Sequence, residues 1–408
     1  MKKNSLKAKL IGILPEELLN KVNRSFEVVG DIAIIEISEE LEQYEKQIGQ
    51  ALLETNVSLK TILKKSGIHH GEFRTQDLIY VAGINKHETE YLENGVRFKL
   101  NPGSVYFSAR LSTERSELMK SLNEKQRVLV MFSGAGPYSL TALKMKPNIP
   151  LLTAIEINPE GHKYALESLK LNKNILKKTK EYQTFLKFIK TTKLPIMEKQ
   201  ALELFNKTKI NFINGNVRIE TKEFKPKFEE KKINFYDNNI FDYEHKNIYH
   251  ILNQLTTPKL NINLNKIHKL NEFINFFIIF FDKFKIVAKI NNKNYLFENS
   301  LDKAILLEYI RNQKNRKLEE LYKYDEIYMP LPKDAELFLD CAFRSAAKNA
   351  IIHMYDFVHE NDFPQQSENA VKKAAEKFGK KIEIISTRKV GQYSPRKYRV
   401  CCDFKILN

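Results

Sequence analysis

The stretch Val128 to Ser139, Val-Leu-Val-Met-Phe-Ser-Gly-Ala-Gly-Pro-Tyr-Ser, carries the first chemical signal in this chain. A strand-like apolar run enters a turn containing Gly134 and Gly136. Pro137 then stands where a helix can begin, because its fixed φ and missing N–H suit a first helical turn. Glycines let a ligand lie against the backbone, and the open amides of a helix start are donors for it. A second strand-like run, Leu151 to Ile155, ends at Glu156 and is followed by Ile157-Asn158-Pro159. An acid at the tip of the second strand is where doubly wound sheets hold a nucleoside ribose. The dinucleotide fingerprint wants a third glycine three residues after the second. Ser139 stands there instead, which favours S-adenosylmethionine over a nicotinamide dinucleotide. A tight turn in any α/β protein would use the same two glycines.

The flanking pattern supplies elements able to position these groups. From Arg127 onward, strand and helix patterns alternate: strand 128–132, helix 137–145, strand 151–155, helix 159–171. Such alternation predicts a parallel sheet with helices on both faces. Regularity lapses over a Lys-rich segment, 173–208, returns as a strand at Ile210 to Ile213, and lapses again over 219–322. Both lapses read as insertions, the larger with enough aliphatic and aromatic residues for a subdomain of its own. The sheet resumes with strands at Glu326 to Met329 and Ala350 to Tyr355, helices at Asp334 to Ala347 and Ser367 to Phe378, and a closing pair, Ile382 to Ser386 and Tyr398 to Ile406. Ahead of all this, residues 1 to about 110 read as a small α+β domain. It contains an Asn94-Gly95 pair between two alternating runs, a hairpin signal.

Composition sets the partner class. Sixty-seven Lys and Arg residues against 50 Asp and Glu give a formal net charge of +17 over 408 residues, which attracts a polyanion. Nucleic acid is the first candidate and an acidic membrane surface the second, while a Lys-, Asn- and Ile-rich proteome would produce the same bias. Cys341, Cys401 and Cys402 form neither a disulfide framework nor a metal knuckle, so a reducing cytoplasm is expected. His69, His70 and His353 lack metal-ligand spacing and read as structural, so no metal is expected. The N-terminus has no signal-peptide core, and the most apolar run, Phe273 to Phe281, is too short to span a bilayer. A soluble, cytoplasmic protein is the expectation, with a monomer as the simplest state.

Several short runs appear together in order: Gly71-Glu72-Phe73-Arg74-Thr75, Glu93-Asn94-Gly95, Tyr106-Phe107-Ser108-Ala109-Arg110-Leu111, Thr113-Glu114-Arg115, Met131-Phe132-Ser133-Gly134-Ala135-Gly136-Pro137, Ile157-Asn158-Pro159, Met329-Pro330-Leu331-Pro332 and Tyr393-Ser394-Pro395-Arg396. This set resembles the archaeal and eukaryotic tRNA guanine-37 N1-methyltransferase family, which shares its fold with the aminocarboxypropyl transferases of wybutosine synthesis. The similarity covers nearly everything outside the two insertions.

The resemblance implies an α/β fold: a class I S-adenosylmethionine-dependent methyltransferase (Rossmann-like) domain over 111–408, carrying the insertions, behind an N-terminal α+β, RNA-associated domain over 1–110. It implies S-adenosylmethionine as methyl donor and the tRNA anticodon stem-loop as partner. Methylating guanine N1 requires removal of a weakly acidic proton and stabilisation of the charge that spreads to O6, so a carboxylate and a nearby cation are expected. In the family these fall to the positions of Glu114 and Arg74. Without the resemblance, Glu114 reads as a first-turn helix acid and Arg74 as a surface cation.

Tyr106 occupies the family position beside donor and target base. Phe132, Gly134, Gly136 and Glu156 would hold the donor's methionine and ribose parts, and Asn216 would meet its adenine. Pro330 and Pro332 would form the floor under a flipped guanine. Two positions depart from the pattern: Val130 replaces the acid that ends the first strand, and Pro330 replaces an asparagine. They keep aminocarboxypropyl transfer, and a catalytically impaired tRNA-binding homologue, as alternatives. The segment Arg388 to Arg399 interleaves cations with tyrosines, a pattern suited to phosphates and splayed bases or to a solvated hairpin tip.

Overall fold

The computed structural model describes residues 5–23, 25–71, 73, 75–179, 182–183, 186, 210–222, 225, 227–228, 259–263, 285–290, 293–297, 302, 306 and 318–408. They form two compact units. One comprises Met1–Leu118, Ser133–Thr141 and Glu156–Asn172, and the other Met119–Phe132, Ala142–Ile155 and Lys173–Asn408.

The first unit is built on a four-stranded sheet of β1 (Glu27–Val29), β2 (Ile32–Ile35), β3 (Thr61–His70) and β4 (Thr75–Gly83), in that order. β2 and β3 are parallel, which requires a crossover, and the helix Glu45–Thr55 provides it. The apolar stripe of that helix, Ile48, Ala51 and Leu52, packs with Ile35 and Ile62 in one core. β3 runs well beyond the expected Lys60 to Lys64, because Lys65 and Ser66 find ladder partners in Leu78 and Asp77. β5 (Thr89–Glu93) and β6 (Val96–Leu100) form the hairpin read from Asn94-Gly95. Both turn residues have positive φ, +51° and +74°, as a type I′ turn demands. The edge of β6 is tied to the helix Pro159–Leu171 and its cap. The Arg97 N–H donates to Asn172 Oδ1 at 3.0 Å and the Lys99 N–H to Ser168 Oγ at 3.0 Å.

The second unit carries β7 (Val128–Met131), β8 (Leu152–Glu156), β9 (Ile210–Asn214), β10 (Lys227–Phe228), β11 (Lys259–Asn263), β12 (Lys285–Ile290), β13 (Lys293–Phe297), β14 (Tyr324–Met329), β15 (Ala346–His359), β16 (Ile382–Ser394) and β17 (Lys397–Ile406). Seven of these make one sheet in the order β16-β17-β15-β14-β7-β8-β9. β15, β14, β7 and β8 run parallel, and β17 and β16 close the sheet antiparallel. From β7 the order steps one way to β8 and β9 and the other way to β14 and β15. The strand order therefore reverses between β7 and β14, and the crevice beyond the carboxyl ends of such a pair is where α/β sheets take ligands. β10, β13, β12 and β11 make a separate sheet within the larger insertion, while most of 173–208 lies outside the described residues.

One expectation needs correcting here. The helix read at 334–347 is a 3₁₀ turn, Ala335–Phe338, followed by an α-helix that ends at Ser345, and β15 begins at Ala346. Ala346 pairs with Tyr324, and Asn349, at φ +65°, absorbs the register shift before Ile351 meets Glu326. Pairing across the sheet overrides the helical preference of Ala346 and Ala347.

A buried polar chain crosses this sheet. His353 on β15 joins Asp403 on β17 through Nδ1, at 2.6 Å, and Glu326 on β14 through Nε2, at 2.9 Å. Gln126 donates to Glu326 and Ser386 to Asp403, and the Tyr328 ring stacks on the imidazole at 4.6 Å. Burial alone would lower the His353 pKa, but the hydrogen bonds and charges of Asp403 and Glu326 outweigh it and push it up to about 9. Burial would likewise raise Asp403, yet the imidazolium holds it down to about 2.

Because the folded histidine binds its proton more tightly than the unfolded one, its contribution is complete below about pH 6.5 and is lost as pH rises through 9. Urea unfolding should therefore show stability falling by roughly 3 kcal/mol across that window. His353→Gln should flatten the slope. An equally steep slope in that variant would rule this account out.

Candidate donor-binding and catalytic site

In the first unit the glycine turn adopts the shape its sequence requires. Gly134 and Gly136 have φ +54° and +83°, a region costly for any residue bearing a Cβ. The Gly136 N–H closes the turn onto Ser133 O at 2.9 Å, and Leu140 N–H to Gly136 O opens the helix Pro137–Met145. The Gly134 N–H donates to Glu156 Oε2 at 2.6 Å, and the Asn158 N–H donates to Oε1 at 2.8 Å. Acid and loop, separated in sequence, are thus one hydrogen-bonded unit. Burial raises the Glu156 pKa, against the pull of these backbone donors. Gly161 makes the seat: a Cβ there would lie 3.0 Å from Glu156 Cγ.

Asn158 has two tasks. Its Oδ1 accepts from the Glu160 N–H and caps the helix, and its Nδ2 donates to Ser104 O at 2.7 Å, anchoring the turn that leads to Tyr106. A Cβ built on Gly134 would stand 3.5 Å from the Tyr106 carbonyl oxygen, so Tyr106 borders the loop, and Tyr106 is exposed.

Glu114 lies in the first turn of the helix Ser112–Ser121 and is 8% exposed. Its neighbour Arg115, 1% exposed, grips Glu93 with two hydrogen bonds, 2.6 Å from Nε and 2.5 Å from the second guanidinium nitrogen, and also donates to Ser108 O at 3.0 Å. Asn94 Nδ2 donates to Ser112 O at 3.0 Å. Three of the short runs are therefore fastened together: the hairpin turn, the Tyr-Phe-Ser segment and the Thr-Glu-Arg helix start. In the sequence Arg115 stands out only as the last residue of the Thr-Glu-Arg run; its pairing is not legible there, since its partner lies 22 residues away. Arg74 lies outside the described residues.

In the second unit Phe132 follows β7 at φ +57°, a left-handed conformation that costs an aromatic residue about 1–2 kcal/mol. Strain of this kind persists where surrounding contacts hold it. The Asn216 Oδ1 accepts the Arg218 N–H at 2.9 Å and caps the helix Val217–Glu220, which commits the carboxamide oxygen to the helix start. After β14 the Leu331 N–H takes up the Met329 carbonyl at 2.8 Å in a tight turn about Pro330, and Pro332 is buried. Val130 is fully buried within β7.

The description of the TRM5/TYW2 methyltransferase domain matches residues 89–219 and 287–385, and that of the TYW2 N-terminal domain matches 6–86. The chain belongs to the TRM5/TYW2 methyltransferase family.

Among relatives of this TRM5/TYW2 member, the tRNA (guanine(37)-N(1))-methyltransferase Trm5b of Pyrococcus abyssi is 44% identical over 160 residues, 39% of this chain and 48% of that protein. The chain thus spans about half the length of that curated relative. The tRNA (guanine(37)-N(1))/4-demethylwyosine(37)-methyltransferase Taw22 of Nanoarchaeum equitans is 26% identical over 386 residues, 94% of this chain and all of that one. The crystal structure of Trm5b from Pyrococcus abyssi superposes with a TM-score of 0.58 at 26% identity, covering 97% of this chain and 79% of the other.

Two further features of this TRM5/TYW2 chain bear on its chemistry. Among the described residues, His353, Cys401 and Asp403 offer ligand atoms within 4.8 Å of one another, but both imidazole nitrogens are already engaged by carboxylates. The cation-rich hairpin β16–β17 has Lys389 Nζ 4.0 Å from the Tyr398 ring centre, and Tyr393 rests on Phe357 at 4.0 Å with its ring largely exposed. No described helix is long and apolar enough to cross a membrane.

Proposed function

We propose that this chain transfers the methyl group of S-adenosylmethionine to N1 of guanine 37 in the tRNA anticodon loop. Glu114 carries the reading. A nearly buried carboxylate at a helix start, braced by the Arg115–Glu93 pair, is the base that N1 deprotonation calls for. Aminocarboxypropyl transfer has no equal need of it.

In this reading Glu114 accepts the N1 proton and Arg74 stabilises charge at O6, while Tyr106 flanks donor and base. The residues fit a sulfonium nucleoside. Left-handed glycines expose backbone to it, Glu156 offers oxygens to a ribose diol, and the Asn216 amide can donate to the adenine edge. S-adenosylmethionine supplies an electrophilic methyl group. Phe132, Gly134 and Gly136 orient its amino-acid end, and Pro330 and Pro332 shape the floor for the target base. Residues 1–110 and the hairpin bearing Lys389, Tyr393 and Arg396 supply RNA contacts, in keeping with the net charge of +17.

A second reading, aminocarboxypropyl transfer to a wybutosine precursor, is favoured by one observation: Val130 puts a buried aliphatic side chain where the family usually carries an acid. The relative that aligns over nearly the whole chain is named for 4-demethylwyosine as well as guanine, so that base is a further acceptor to try.

Purified protein incubated with unmodified tRNA transcript, and with donor labelled in either the methyl or the carboxypropyl carbons, separates these readings. Methyl label that vanishes when position 37 is changed from guanosine is the expected result. Carboxypropyl label would establish the second reading, and binding without any label would identify an impaired homologue.

A further inference from the structure

Phe132 holds a sparsely populated backbone conformation one residue ahead of the glycine turn, and its ring is the handle by which the fold can enforce it. That ring meets Phe338 edge-on, with centroids 4.9 Å apart and planes at 73°. Phe338 stands just ahead of the helix Leu339–Ser345, in the segment that follows β14. The Arg218 guanidinium lies over the Phe338 ring, 4.5 Å from its centre. That guanidinium is itself fixed, donating to Leu337 O at 2.6 Å and pairing with Asp340 at 3.6 Å. The Arg218 backbone N–H is the one that Asn216 caps.

A continuous set of contacts therefore runs from Asn216 through Arg218 and Phe338 to Phe132, joining the segments that follow β9, β14 and β7. Its two ends are residues expected to touch the donor. Its two middle members carry no motif signature, because an arginine in a short helix and a phenylalanine after a strand are common anywhere.

We propose that Phe338 and Arg218 are positioning residues that hold Phe132 in its left-handed conformation and so set the geometry with which the glycine turn receives the donor. The inference rests on the donor-binding reading above for its functional consequence, though not for its structural one. Edge-to-face aromatic contact and a cation over the ring both favour one placement of Phe338. Without that ring, Phe132 relaxes toward common backbone angles and the amides of Ser133 to Gly136 lose their fixed aim. Displacement of such a frame by even an ångström is costly to a reaction that depends on alignment.

The test compares Phe338→Ala with Phe338→Tyr, and Arg218→Ala with Arg218→Lys, using the full chain. In the absence of donor, hydrogen exchange of the peptide spanning 132–138 should quicken about tenfold in Phe338→Ala and stay near wild type in Phe338→Tyr. The dissociation constant for S-adenosylhomocysteine and the KM for donor should rise about tenfold in Phe338→Ala, more than kcat falls. Arg218→Ala should give a smaller effect in the same direction, which Lys rescues only in part because it lacks the planar fork.

Phe338→Leu, which keeps the apolar volume but offers no aromatic edge, replaces Phe338→Ala if that variant folds poorly, and Phe132→Gly supplies the control. Glycine takes φ +57° without a handle, so adding Phe338→Ala to it should leave loop exchange unchanged. Normal loop exchange in folded Phe338→Ala overturns the inference, as does an undiminished effect in the Phe132→Gly background. A wild-type chain that binds no donor would sink the functional reading alone, since loop exchange decides the positioning role independently.

Discussion

Glu114→Gln should lower single-turnover methylation of guanine 37 by about 10²–10⁴-fold, the span typical of losing a positioned general base. The amide keeps the size and most of the hydrogen bonding of the carboxylate but cannot accept the N1 proton. Affinity for tRNA and for donor should therefore hold, and the loss should fall on the chemical step. Glu114→Asp tests position: shortened by one methylene, the carboxylate should keep part of the activity, and more at higher pH as guanine N1 itself begins to ionise. Full activity in Glu114→Gln would remove Glu114 from the mechanism and with it the main ground for preferring methyl over aminocarboxypropyl transfer.

The second large effect concerns the frame beneath Glu114. Arg115→Met should destabilise the first unit by about 3–5 kcal/mol, because it strands the Glu93 carboxylate, 5% exposed, without its bidentate partner. Glu93→Gln should cost nearly as much, leaving the guanidinium buried between the Phe107 and Tyr138 rings. Combining Arg115→Met with Glu93→Leu should recover much of the loss, since apolar replacement of a whole buried pair is often neutral. That recovery separates an ion pair from a simple packing defect. The double variant should regain stability but not full activity, because the pair also fastens the helix start to the hairpin turn and to Ser108. Urea unfolding followed by fluorescence reads the effect, and single variants within about 1 kcal/mol of wild type would contradict it.

Both predictions depend on features unequally visible in the chain. Asn94-Gly95 announces its own turn, since few other pairs accept two positive φ values in succession. Gly134, Gly136 and Pro137 likewise announce a loop and a helix start. The strand-and-helix alternation after Arg127 is enough to infer the parallel sheet, because burial on both faces leaves a readable apolar pattern. The expected helix over 334–347 failed at its end for the opposite reason: β15 begins early through a ladder partner, Tyr324, far away in sequence.

By itself, then, the amino-acid sequence determined the local chemistry: which turns form, where helices start and which acid ends the second strand. These follow from backbone sterics and periodicity over a few neighbouring residues. Tertiary structure alone decided which groups meet. It put Glu156 on the Gly134 amide, Arg115 on Glu93, His353 between Glu326 and Asp403, and Phe338 against Phe132. The reason is physical: a buried charge or a strained backbone persists only with a partner, and that partner is chosen by the packing of distant segments rather than by anything adjacent in the chain.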